Sequence, residues 1–337
     1  MKFYSRIYLP PPREGWVVSW EFKALAQILK TLGLGVRADR LAFKQIRYLS
    51  SKYSAASKVT SLYHFLGNKL TFDYYHGDPR ISPDFSDLLE AIKKKSYQFH
   101  RIRVSHSGIE NLLENNNFEN RTFRIPIGIN LAWFPLRTDE SKKLIRHKLN
   151  IPESAVVIGS FQKDGSGWGD GFEPKLIKGP DVFLKTMRIL KSRIPEMMVL
   201  LTGPSRGYMR KGLESLDVPY RHYWLSDYRE IGDYYHALDT YIVSSREEGG
   251  PKAVLESMAS GVPLISTRVG QAQDLLQHSV NGWLADVEDA EALASCTMEA
   301  LENNPAMVEA ARKTAEQNSY ENQLTLWRDF FEPLLHS

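Results

Sequence analysis

Apolar and polar positions alternate in blocks through the second half of the chain. Ala155-Val156-Val157-Ile158-Gly159-Ser160-Phe161 is a short apolar run, the pattern of a strand buried on both faces. A glycine-rich stretch from Asp164 to Phe172 follows. After Lys178-Gly179-Pro180, apolar residues recur at helical spacing (Val182, Phe183, Met187, Leu190, Ile194) until Pro195 stops them. Met197 to Leu201 predicts a second strand, ended by Gly203-Pro204. Further strands are predicted at Tyr220 to Leu225, Thr240 to Val243 and Val262 to Ser266. Helices are predicted at Asp227 to Leu238, Pro251 to Ser260 and Ala272 to Gln277. Strands alternating with helices imply right-handed crossovers and a doubly wound parallel sheet over residues 151–300.

The first half is less regular. A Pro/Gly-rich entry precedes an amphipathic helix from Glu21 to Leu32. Leu70 to Tyr75 predicts a strand running into the turn His76-Gly77-Asp78-Pro79. Helices are predicted at Phe85 to Lys94 and Ile109 to Asn115, and strands at Ile102 to Ser105 and Phe123 to Ile125. The polar helix Glu140 to Lys148 predicts a linker. A second, smaller α/β domain is expected here, so the fold class is α/β with two Rossmann-like domains: 1–136, a linker at 137–150, and a second domain from 151.

Composition narrows the function. The 337 residues suffice for two domains, and 42% apolar with 25% charged residues is globular composition. The single cysteine, Cys296, excludes an intramolecular disulfide and a multi-cysteine metal site. No run of about 18 apolar residues predicts a membrane span, and Met1 to Arg6 leads into no secretory apolar core, so a cytoplasmic protein is expected. Charge is uneven: residues 1–150 hold 25 Lys/Arg against 13 Asp/Glu, residues 151–337 hold 18 against 27. Two modules with different partners are implied. The basic run Lys93-Lys94-Lys95, followed by Tyr97, Phe99, His100, Arg101 and Arg103, reads either as solvated helix faces or as a contact for an anionic membrane. No nucleic-acid-binding motif is present, and no nucleic-acid partner is expected.

The segment Ser244 to Pro263 carries the sharpest chemistry. A strand ends near Ser244, which sets Glu248 in a loop at the carboxyl edge of a parallel sheet, where such folds bind ligands. Gly249 and Gly250 let backbone approach a ligand, and Pro251 suits a first helical turn whose free amides favour an anion. Glu256 lies about one and a half turns into that helix. Two carboxylates beside an anion site suit a ligand bearing hydroxyls and phosphate. On spacing alone, both glutamates read equally well as solvated charges.

Glu248 and Glu256 have seven residues between them, and Glu-Gly-Gly-Pro-Lys-x-x-Leu-Glu-x-Met-Ala-x-Gly-x-Pro resembles the Glu-x7-Glu signature of retaining GT-B glycosyltransferases of the large GT4 family. His236 to Ser245 and Val269 to Leu284 resemble that family's flanking segments. The resemblance implies two facing Rossmann-like domains, the second (151–317) binding a nucleotide-sugar donor, and a last helix (318–337) crossing back to the first, acceptor-side domain. It implies that Glu248 contacts the donor sugar, Glu256 the ribose, and Gly249, Gly250 and Pro251 the sugar-diphosphate. Lys178-Gly179 resembles the family's Lys-Gly. Gln162-Lys163 stands where the family has Gly-Arg, so Lys163 and Lys178 are the expected diphosphate partners. Leu225 falls where the family contacts its nucleobase. Gly15 stands where the family has an N-terminal glycine loop. Phe72 to Gly77 resembles a strand ending in His-Gly, which makes His76 a catalytic candidate suited to proton handling. Ile125 to Asn130 resembles Pro-x-Gly-x-Asp, with Asn130 replacing the acid.

The expected activity is metal-independent, retaining transfer of a hexose from a UDP- or GDP-linked donor to a glycan or lipid-diphosphate-linked acceptor in polysaccharide synthesis. No cofactor and no metal site are expected. A glycoside hydrolase and a catalytically silent nucleotide-sugar-binding protein remain the alternatives.

Overall fold

The computed structural model describes residues 7–9, 17–37, 43–302 and 304–336. Gly15 lies outside them. The described residues divide into two compact units: those up to Gly128 together with those from Tyr320 on, and Ile129–Ser319. Among the described residues each unit holds one six-stranded parallel sheet. The structure thus has the two parallel-sheet α/β units expected of GT-B.

In the first unit the strands are β1 (Ile7–Tyr8), β2 (Val36–Arg37), β3 (Ile46–Leu49), β4 (Lys69–Tyr74), β5 (Phe99–Val104) and β6 (Thr122–Arg124), in the order β2-β1-β3-β4-β5-β6. Helices cover both faces. On one, Phe22, Leu25 and Leu29 of helix Val17–Thr31 pack with Trp327, Phe330 and Phe331 of helix Leu324–His336 against Ile7, Ile46 and Tyr48. On the other, Leu89 and Ile92 of helix Pro83–Lys93 and Ile109 and Leu113 of helix Ser107–Glu114 pack on Phe72, Tyr74, Ile102 and Val104. Ser82 caps the first of these helices through Asp84 N, with Pro83 in the first turn, where its missing N–H is no loss.

The second unit has β7 (Val156–Ser160), β8 (Met197–Thr202), β9 (Tyr220–Tyr223), β10 (Thr240–Val243), β11 (Leu264–Thr267) and β12 (Trp283–Ala285). Their order is β12-β11-β10-β7-β8-β9, so the chain reverses direction across the sheet between β7 and β10. Neighbouring side chains point to opposite faces. Val157 and Val243 join Val254, Leu255 and Met258 of helix Lys252–Ser260. Ile158 and Ile242 join Val182, Phe183 and Leu190 of helix Pro180–Lys191.

Differences from the expected elements have identifiable causes. The stretch Asp227 to Leu238 is a 3-10 turn (Tyr228–Glu230) followed by helix Ile231–His236, because Asp227 caps its own next turn through Arg229 N. Pro251 precedes helix Lys252–Ser260 as its cap. The helix expected as a linker, Asp139–Lys148, is packed on the second unit: Arg146 donates to the carbonyls of Ala237 (2.9 Å) and Ala155 (3.0 Å) and meets Asp239 at 2.6 Å. No helix among the described residues is long and apolar enough to cross a membrane.

Strand β3 was hidden by Arg47, which is buried with its guanidinium 4.1 Å from the Tyr8 ring centre and 3.8 Å from that of Tyr63. Other charges of the basic half are also internal. Lys69 is buried and donates to Leu334 O at 2.8 Å. Arg103, 2% exposed, spans Ile125 O (2.9 Å), Pro126 O (2.8 Å) and Tyr75 Oη (2.8 Å), with Glu21 at 3.4 Å and Asp73 at 3.9 Å. Tyr48 donates to Asp73, and Tyr320 donates to Glu21 at 2.6 Å. In the Lys93-Lys94-Lys95 run, Lys93 pairs with Glu90 (2.6 Å) and Lys95 donates to the Ala56 and Ser57 carbonyls, 2.8 Å each.

Burial pushes the Asp73 carboxyl up to about 6, against the opposing pull of Arg103 and the Tyr48 hydroxyl. The folded state therefore holds this proton more tightly than the unfolded chain. The stability it confers is complete below the ordinary aspartate range and is lost as pH rises through about 6. Asp73→Asn, neutral throughout, removes this dependence. Urea unfolding of both proteins is expected to shift in favour of the variant by about 1–2 kcal/mol between pH 5 and 7.5. A difference constant across that range contradicts the assignment.

Candidate functional site

The loops after β7 and β10 flank the point where strand order reverses, and such points are where open α/β sheets bind ligands. Gln162 and Lys163 follow β7. Ser245 and Glu248 follow β10. Lys178 returns to the same place at the end of the loop after β7, on the 3-10 turn Leu176–Lys178. Its Nζ lies 2.6 Å from each oxygen of the Glu248 carboxylate. Ser245 Oγ is 2.9 Å from Glu248 Oε1 and 3.2 Å from Gln162 Oε1, and the charged oxygen is the better acceptor for its one proton. Gln162 Nε2 donates to Lys178 O at 2.9 Å.

Backbone fit explains the Lys178-Gly179 pair. Gly179 has φ +63° and its carbonyl accepts from Ser244 Oγ at 2.9 Å. A Cβ here would run into the Ser244 carbonyl, so only glycine lets the turn lie against the end of β10. Arg246 fastens the same two loops. It takes both Asp181 oxygens at 2.8 Å, the Leu176 carbonyl at 2.6 Å and Glu288 at 2.6 Å.

The glycine-rich stretch is an ordered hairpin. Lys175 N donates to Asp164 O (2.7 Å) and Ser166 N to Glu173 O (2.8 Å). Ser205 Oγ lies within hydrogen-bond distance of the Gly167 (3.1 Å) and Gly169 (3.0 Å) carbonyls. Asp164 is fully buried against Arg206, 3.0 Å away, and burial raises its carboxyl above the ordinary range despite that guanidinium. The hairpin carries Trp168, 62% exposed, with the Lys163 ammonium 3.9 Å from its ring centre.

Lys175 was missed by the sequence reading. Burial lowers its pKa, as do the charges of Lys178 and Lys163, while Glu248 opposes them. Its spacing of three from Lys178 was the available signal, because i and i+3 side chains eclipse on a 3-10 turn. Lys178 thus holds Glu248, and the Lys175 ammonium feels the charges of Lys178, Glu248 and Lys163. Asp164 and Asp181 are each taken by their own guanidinium.

Glu256 is placed differently. It is 4% exposed, its Oε1 accepts from Tyr228 and its Oε2 from Tyr235 at 2.9 Å. Burial raises its carboxyl, with the Tyr228 bond, the Lys252 charge and the Tyr235 bond opposing. Lys252 stands 5.8 Å from the Tyr228 ring centre. Leu225 is half-buried against the core of the second unit. Gly249 is buried and its carbonyl accepts from Gln271 N at 3.2 Å; Pro251 is also buried, and Gly250 is half-exposed. His76 belongs to the first unit, at the end of β4, with its ring edge-on to Phe85 at 5.7 Å. Asn130 serves as a cap, accepting from Ala132 N at 3.1 Å.

The chain is similar to known glycosyltransferases. It is 28% identical over 209 residues to a D-inositol 3-phosphate glycosyltransferase of Corynebacterium urealyticum, covering 58% of this chain and 47% of that one. With the lipopolysaccharide core biosynthesis mannosyltransferase LpsB of Rhizobium meliloti it shares 24% over 143 residues, 40% of this chain and 41% of that one. The chain thus spans about half the length of these curated relatives. Among solved structures, Anabaena HepE in complex with UDP superposes with a TM-score of 0.76 at 14% identity, covering 98% of this chain and 99% of that one. Sucrose-phosphate synthase of Thermosynechococcus elongatus gives 0.69 at 17% identity, covering 96% and 80%. These likenesses establish the GT-B fold. The model of the family glycosyl transferases group 1 matches residues 172–320, which run from the hairpin through Lys178 and both glutamates. That segment is what this chain shares with the group 1 glycosyltransferases.

Proposed function

We propose that this protein is a hexosyltransferase whose second unit binds a nucleoside diphosphate sugar, with the diphosphate on Lys175 and Lys178 and the sugar hydroxyls on Glu248. The observation that carries this reading is the Lys178 ammonium held on the Glu248 carboxylate at the switch point of the sheet, with Lys175 close enough to feel both charges. Cations there neutralise the charge that builds on a departing diphosphate, and the carboxylate orients hydroxyl groups. In transfer, the bond from the anomeric carbon to the diphosphate oxygen breaks and a bond to the acceptor oxygen forms. The acceptor's proton leaves on the released nucleoside diphosphate. UDP is the first nucleotide to test, because HepE carries it.

The finer parts of the proposal rest on the signature resemblance: retention at the anomeric carbon, independence of metal, and a glycan or lipid-diphosphate-linked acceptor in polysaccharide synthesis at the cytoplasmic face of a membrane. A hydrolase needs two carboxylates flanking the scissile bond. Both Glu256 oxygens are instead held by tyrosine hydroxyls, which favours transfer over that alternative.

Two outcomes test the reading. Glu248→Gln is expected to lower turnover of a UDP-sugar by about a hundredfold or more, with the thermal unfolding midpoint little changed; turnover within a factor of two of wild type contradicts the role. Lys175→Ala is expected to weaken UDP binding about tenfold by titration calorimetry and to weaken UMP binding much less. Equal losses for both nucleotides contradict a diphosphate contact.

A further inference from the structure

The loop after β8 lies outside the residues that the sequence marked for the site, yet it carries a buried guanidinium that reaches the site's scaffold. Arg206 is 1% exposed and Asp164 is fully buried. The Arg206 side chain donates to the carbonyls of Ser160 (2.7 Å) and Thr202 (3.0 Å), the last residues of β7 and β8, and to Ser160 Oγ (3.2 Å). Its remaining nitrogen, Nε, stands 3.0 Å from Asp164 Oδ1. Asp164 opens the glycine-rich hairpin, and its carbonyl accepts from Lys175 N at 2.7 Å. The neighbours of Arg206 clasp the same hairpin. Gly207 N donates to Asp170 O at 2.6 Å and Tyr208 N to Gly171 O at 2.9 Å. Ser205 adopts φ +57°, uncommon for a residue with a side chain, with its Oγ beside the Gly167 and Gly169 carbonyls. A Cβ on Gly165 or Gly171 would run into the Ser205 backbone, so this fit requires glycine at both places.

We propose that Arg206 is a positioning residue of the donor site: through Asp164 it pins the hairpin to the ends of β7 and β8, and so sets Lys175 where it meets a diphosphate. Arg206 is buried and does not reach a nucleotide itself. Lys178 has separate fastenings, in Gly179 against Ser244 and in Arg246 on the Leu176 carbonyl. Lys175 is tied back through Asp164. Loss of Arg206 therefore loosens Lys175 and leaves the Lys178–Glu248 pair in place. Lysine is no substitute, because one ammonium on a flexible stem does not reproduce the fixed fork that holds two strand ends and a carboxylate at once. Breaking a buried pair on one side also costs stability, so a fall in melting temperature alone does not report the role. The diphosphate contact rests on the hexosyltransferase reading; the hold on the hairpin does not.

Two measurements on the full chain test this, with Arg206→Lys and with Asp164→Asn, which keeps the side-chain volume and one acceptor oxygen. Hydrogen exchange without nucleotide is expected to quicken about tenfold or more across residues 164–175 in both variants, with exchange in β10 and helix Lys252–Ser260 unchanged. Hairpin exchange equal to wild type overturns the hold. Titration calorimetry is expected to show UDP binding about tenfold weaker for Arg206→Lys, with UMP binding within about a factor of two of wild type. Adding Arg206→Lys to Lys175→Ala is expected to weaken UDP binding no further, because the arginine acts through that lysine. Equal losses for both nucleotides, or losses that add in the double variant, overturn the positioning role. If Arg206→Lys fails to fold, Asp164→Asn is judged by the same two comparisons. A wild type that binds neither nucleotide refutes the donor reading and the diphosphate role with it, while the exchange result still decides the hold on the hairpin.

Discussion

The Lys178 ammonium held between both oxygens of Glu248 is the contact on which the second unit's site depends. It joins the loop after β7 to the loop after β10, the two central strands between which the chain order reverses. The pair is partly buried, so its attraction is less screened than that of a surface pair. It also offsets the Glu248 charge, and Lys175 adds positive charge that both groups feel. Gly179 allows the close approach, and Arg246 with Asp181 holds the loops in register. The chemistry is thus a consequence of loop packing at a sheet edge that the strand order makes available.

The second unit was largely legible in the sequence because its strands are apolar on both faces. Val157 and Ile158, or Ile242 and Val243, enter opposite cores, so each strand reads as an unbroken run. In the first unit β4, β5 and β6 were legible, but β3 was hidden behind Arg47, and charges interrupt the other strands. Arg47, Lys69, Asp73 and Arg103 lie inside β3, β4 and β5 and meet rings, carbonyls and one another. Hydropathy cannot distinguish such residues from solvated ones, because their partners come from distant parts of the chain. The same fact revises the basic excess of the first half: part of it is structural, and it overstates the charge available at the surface.

The site was legible where the family resemblance carried it: Glu248 and the Lys178-Gly179 turn are together, as that resemblance implied. The rest depended on tertiary placement. Lys175 needed the 3-10 turn, Arg246 needed Asp181 from another loop, and the Glu256 environment needed Tyr228 and Tyr235 from the preceding elements. Arg206 carries no sequence signal toward Asp164 at all, since the two lie far apart in the chain and meet only because β7 and β8 are neighbours.

A crystal structure of the protein soaked with UDP-glucose tests the central claim most directly. The account predicts diphosphate oxygens within hydrogen-bond distance, about 3 Å, of the Lys175 and Lys178 ammoniums and a glucose hydroxyl on the Glu248 carboxylate. Density for the nucleotide sugar away from these three side chains, with Lys178 and Glu248 still closed on each other, would contradict it.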